Sequence, residues 1–219
     1  MKHDLLLFDL DGTLSDPSEG IWRCFNHSLS HYGYPTLRRD EIDPCIGPPL
    51  DESFARLTGE RDVSQLHAMV ATYRERYSDA GYAENVLYDG VTETLQVLSE
   101  RGVPMAVCTS KRRDFALRIL QRFALDGHFS FVDGGDVGIQ KWQQIQALRQ
   151  KGAVSDKTLM IGDRGVDLEA ANRNGLAGGA VLWGFGSRDE LSGGQPDYWF
   201  DAPKEWLTLQ LSVETLHGC

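Results

Sequence analysis

Two carboxylates, Asp9 and Asp11, stand at the end of the apolar run Leu5-Leu6-Leu7-Phe8, and Gly12, Thr13 and Ser15 follow closely. On an extended backbone this spacing turns both acids to one side and Leu10 to the other. Gly12 lets the chain break sharply at that point. Paired acids at a strand end, with further acids to gather from elsewhere, suit magnesium and phosphate chemistry, because Mg2+ prefers oxygen ligands and takes few from the protein. A strand running into a solvated Asp-Gly turn fits the same residues.

Other chemistry-bearing residues also follow apolar runs. Thr109, Ser110 and Lys111 follow Val107-Cys108, and hydroxyls with backbone N–H groups at a helix entry can hold a phosphoryl oxygen. A Ser/Thr helix cap uses the same residue types. Asp163 and Asp167 follow Met160-Ile161-Gly162; four apart at a helix start, they can turn to one side and complete an ion held by Asp9. Plain helix-capping acids have the same spacing. Lys141, just before an amphipathic run, could neutralise a nucleophile and a phosphate.

The elements that must position these residues alternate. Leu5–Phe8, Val103–Thr109, Phe129–Val132, Thr158–Ile161 and Ala180–Trp183 read as strands, with helices between them at 94–100, 114–123, 142–150 and 168–174. Such alternation predicts an α/β fold, a doubly wound, Rossmann-like parallel sheet. Residues 16–87 read differently: helical runs to Gly33 and over 38–45, 50–57 and 64–78 are separated by Ile46-Gly47-Pro48-Pro49 and Thr58-Gly59, with no strand. This predicts a small all-helical domain, 16–87, inserted after the first strand of a core made of 1–15 and 88–219.

Composition narrows the function. With 22 Lys and Arg against 32 Asp and Glu, the net charge of -10 argues against a nucleic-acid polymer or an anionic membrane as partner. The four cysteines, Cys24, Cys45, Cys108 and Cys219, show no zinc spacing, which predicts reduced thiols in a cytoplasmic protein. No apolar run is long enough for a membrane span.

In this order and at strand ends, Asp9-Leu-Asp11-Gly12-Thr13, Thr109-Ser110, Lys141 and Gly162-Asp163 with Asp167 resemble the haloacid dehalogenase superfamily of aspartate-based phosphatases. The helical insertion resembles the cap of the phosphoglycolate phosphatase branch. Within it, Ile46 to Phe54, Tyr73 to Tyr77 and Glu84 to Gly90 are similar to a 5′-nucleotidase subgroup. The resemblance implies a Mg2+-dependent phosphatase for small phosphomonoesters, acting as monomer or homodimer, with Asp9 as nucleophile and Asp11 as general acid and base. It further implies that Thr13, Thr109, Ser110 and Lys141 bind the phosphoryl group. Asp9, the Asp11 carbonyl, Asp163 and Asp167 would serve the metal, and Gly47 and Arg56 of the cap would meet the substrate. Trp142 departs from the family pattern, which has proline after the lysine in many relatives. The alternatives are a phosphoglycolate phosphatase, a sugar-phosphate mutase, or a non-catalytic phosphate-binding regulator.

Overall fold

The computed structural model describes residues 2–135 and 138–212, so the Cys219 thiol lies outside the described residues. Cys24, Cys45 and Cys108 are buried thiols. The chain divides into two compact units, Met1–Asp16 with Leu87–Cys219, and Pro17–Val86.

In the first unit β1 (Leu5–Phe8) is apolar throughout and buried on both faces, as the middle strand of a parallel sheet must be. Its neighbours are β4 (Met105–Arg112) and β6 (Thr158–Gly162), both parallel to it. Outside these lie β5 (Val132–Gly135) on one side, then β7 (Ala177–Val181) and β8 (Tyr198–Phe200) on the other. The order β5-β4-β1-β6-β7-β8 reverses direction at β1, the switch point at which open α/β sheets open a crevice for ligands. The crossovers are helical: α4 (Val91–Glu100), α5 (Arg113–Arg122), α6 (Lys141–Gln150) and α7 (Gly165–Arg173), followed by the short α8 (Arg188–Gly193).

Alternation along β1 sorts its side chains. Leu5 and Leu7 join a core cluster with Ile145 and Leu148 of α6 and Ala170 and Ala171 of α7. Phe8 packs against Phe129 and Trp206, with ring centroids 6.3 and 4.8 Å away. Asp9 shares the parity of Leu5 and Leu7, so it belongs on the α6 side of the sheet.

The second unit is helical: α1 (Ser18–His31), α2 (Leu50–Thr58) and α3 (Val63–Asp79). Phe25, Phe54 and Tyr73 form its aromatic core, with Phe25 4.8 and 5.1 Å from the other two rings. The run over 38–45 expected as one helix is instead two 3-10 turns, Arg39–Glu41 and Asp43–Cys45. Pro44 has no N–H to continue a ladder, which accounts for the break. The expectation of no strand here is also corrected at its margins, because β2 (Ser15–Asp16) and β3 (Val86–Leu87) pair as a two-stranded sheet. Two residues are too few to show a period in sequence. No helix among the described residues is long and apolar enough to cross a membrane.

Candidate active site

Register brings the scattered acids to one level. Phe8 lies opposite Val107 on β4 and Ile161 on β6, so the next residues along each strand, Asp9, Cys108 and Gly162, come level with one another. The Asp9 N–H donates to the Ile161 carbonyl at 2.9 Å, keeping the backbone extended up to the acid. The chain then closes a tight turn in which the N–H groups of Leu14 and Ser15 donate to the Leu10 carbonyl. Gly12 takes φ +85°, and a Cβ there would run into the Asp163 carboxylate. Glycine is therefore required twice over, by conformation and by space.

Carboxylate oxygens of Asp9, Asp163 and Asp167 lie within 4.8 Å of one another, all three residues being buried. Lys141, the first residue of α6 and 5% exposed, reaches them because Gln144, Ile145 and Leu148 set the buried face of that helix and Lys141 shares it. Its Nζ is 3.0 Å from Asp9 Oδ1 and also pairs with Asp167 Oδ1. The other oxygen of Asp167 accepts the Arg164 N–H at 3.0 Å, so this acid caps α7 with one oxygen and meets Lys141 with the other.

Asp11 is held separately. Its Oδ2 lies 2.7 Å from Lys111 Nζ, a cation whose position after Thr109-Ser110 is visible in the sequence but whose partner is not. Thr109 is buried, its hydroxyl accepting the Lys111 N–H at 3.2 Å and its carbonyl accepting Gln144 Nε2 at 3.2 Å. Ser110 is exposed at the same strand end. No side chain caps α5, so helix capping does not explain this pair. The Thr13 hydroxyl donates to Asp163 Oδ1 at 3.3 Å. Gly47 and Arg56 belong to the helical unit, where Arg56 Nη2 donates to the Pro44 carbonyl at 2.8 Å. After Lys141, Trp142 donates its indole N–H to Gln140 Oε1 at 2.6 Å and lies under the Arg173 guanidinium.

The electrostatics follow from three buried acids gathered around one lysine, which pairs with two of them. Burial, then Asp167 and Asp9, push Asp163 up to about 8; burial also pushes Asp167 up to about 6, against the pull of Lys141. Burial works to discharge Lys141, but Asp167 and Asp9 more than reverse this and keep it protonated. Burial raises Asp11 too, with Lys111 opposing. These shifts predict a pH dependence. Between about pH 4 and about pH 8 the unfolded chain has ionised an aspartate that the folded, ion-free chain still holds protonated, so stability falls as pH rises. In a chelator, the melting temperature should therefore drop from about pH 5 to about pH 8, and Asp163→Asn should flatten most of that slope. Equal slopes in the two proteins would remove Asp163 as the cause.

The six-stranded parallel sheet gathers its acids at the switch point, where open α/β sheets bind ligands. Residues 6–181 match the pattern of the haloacid dehalogenase-like hydrolases, and the chain belongs to that family. Its relatives include a 5′-nucleotidase from Pseudomonas aeruginosa, 38% identical over 203 residues and covering 91% of each chain. The pyrophosphatase PpaX of Halalkalibacterium halodurans is 36% identical over 205 residues, or 90% of this chain and 92% of that one. Among solved structures, a haloacid dehalogenase-like hydrolase from Streptococcus pneumoniae superposes with a TM-score of 0.86 at 30% identity, covering 94% of this chain and 97% of that one.

Proposed function

We propose that this hydrolase cleaves small phosphomonoesters, 5′-nucleotides foremost, through a phosphorylated Asp9, with Mg2+ as cofactor. One observation carries the reading: Asp9 ends the central strand within 4.8 Å of Asp163 and Asp167, beside a buried lysine, while Asp11 stands apart on its own cation. The relatives named nucleotidase and pyrophosphatase support phosphoryl chemistry at such a site.

The residues fit a divalent ion, since three buried carboxylates outnumber their one lysine, and burial, with Asp167 and Asp9 beside it, pushes Asp163 towards protonation. Asp9, Asp163 and the Asp11 carbonyl would hold it, with Asp167 behind or acting through water. When bound, Mg2+ offsets the repulsion between an anionic nucleophile and an anionic ester. The remaining work falls to side chains. The Asp9 carboxylate attacks phosphorus and takes the phosphoryl group. Asp11, raised by burial towards its protonated form, gives its proton to the departing oxygen. It then takes a proton from the water that hydrolyses the acyl phosphate, returning Asp9 and releasing phosphate. Such acid–base help is worth about 10²–10⁴-fold. Lys141 supplies positive charge beside Asp9 throughout, and Thr109 with Ser110 offers donors to the phosphoryl oxygens. Residues 17–86 are read as the cap that sets substrate choice.

The test is a panel of 5′-nucleotides, phosphoglycolate, sugar phosphates and pyrophosphate, scored by kcat/KM for phosphate release with Mg2+ and with EDTA. Phosphate release led by 5′-nucleotides, lost in EDTA and restored by Mg2+, is the expected result. No release from any monoester with Mg2+ present would defeat the phosphatase reading, and an undiminished rate in EDTA would defeat the metal assignment.

A further inference from the structure

Cations are shared unevenly among the acids at the sheet end. Asp9 and Asp167 pair with Lys141 and Asp11 pairs with Lys111, but Asp163 has no ion pair among the described residues. It is held instead by neutral donors, the Phe185 N–H to Oδ2 at 2.9 Å and the Thr13 hydroxyl to Oδ1 at 3.3 Å. Phe185 lies in Trp183-Gly184-Phe185-Gly186, just beyond β7, and each neighbour in this stretch closes on the same acid. A Cβ on Gly184 would overlap the Asp163 Cβ and the Gly12 carbonyl, and one on Gly186 would overlap the Asp163 carbonyl. Trp183 donates its indole N–H to the Thr13 carbonyl at 3.1 Å, tying the stretch to the turn after β1. Its ring is anchored 5.7 Å from the fully buried Trp206 and 6.4 Å from Tyr88.

We propose that Trp183 to Gly186 is a positioning clamp for Asp163, holding its carboxylate with neutral backbone contacts so that a divalent ion meets a pre-ordered ligand with no cation to displace. The inference rests on the metal reading above and adds the residues that fix one ligand. Two glycines are needed because the loop backbone must come into direct contact with the acid, and a neutral donor is needed because a lysine at this place would compete with the ion. Outer contacts of this kind typically govern about 10–100-fold of metal affinity.

The experiment titrates the ion-free protein with Mn2+ and counts the free ion by electron paramagnetic resonance, with no turnover required. G184A, which drives a methyl into Asp163, should weaken Mn2+ binding about tenfold or more while circular dichroism stays that of the folded protein. W183F, which keeps a ring and removes the N–H to Thr13, should shift affinity the same way, and it carries the test should G184A fail to fold. F185L keeps the backbone donor and should bind as the parent does. Parental affinity in folded G184A and W183F overturns the clamp, as does a loss in F185L equal to that in G184A. A parent protein that takes up no Mn2+ overturns the metal reading itself, a result distinct from either.

Discussion

Replacing Asp9 with asparagine should lower phosphate release by about 10⁴-fold or more, because the amide has nearly the same shape but is a poor nucleophile for phosphorus. The fold should survive. Asp9 is one of the groups whose negative charge crowds Asp163 and Asp167, so removing it relieves the cluster. Its backbone bond to Ile161 is untouched, and an amide oxygen still faces the Lys141 ammonium with its negative end. In a chelator the melting temperature of Asp9→Asn should therefore be no lower than that of the parent. Appreciable turnover in this variant would show that another group attacks phosphorus.

Lys141→Met should give the second large effect, on stability as well as rate. The substitution keeps the unbranched stem that packs on the buried face of α6 but removes the positive charge beside Asp9 and Asp167. Buried ion pairs broken from one side cost about 3–5 kcal/mol, because the abandoned charges remain desolvated. Asp167, which burial already pushes up, can escape by taking up a proton, so the penalty should be larger at about pH 8 than at about pH 5, read by urea denaturation in EDTA. Catalysis with Mg2+ should fall by about 10²–10³-fold, the usual scale for losing one preorganised charge beside a transition state. A stability loss below about 1 kcal/mol at both pH values would mean that solvent reaches the cluster and screens it.

Much of this arrangement is legible along the chain. Four apolar residues before Asp9, and Met160-Ile161 before Gly162 and Asp163, mark central strands because strands covered on both faces lose the alternation of half-exposed ones. The helical block is legible through its 3.6-residue spacing, which places Phe25 of α1 on a buried face. Illegible were β8, three residues at the sheet edge, and α8, too short for a period to develop. The strand expected at 180–183 forms at Ala177–Val181 instead, which frees Trp183 to enter the loop beyond it.

Residue type and period are local properties, so they fix along the chain which side chains can do chemistry and in what order strands deliver them. Which side chains meet is set by packing. Lys141 is shared by Asp9 and Asp167, Lys111 goes to Asp11, and Asp163 is left to two neutral donors, the Thr13 hydroxyl and the Phe185 N–H 22 residues further on. Register explains this: parallel strands from distant parts of the chain come level only after the sheet has formed, and distances of a few ångströms between charges are set by that packing and not by spacing along the backbone.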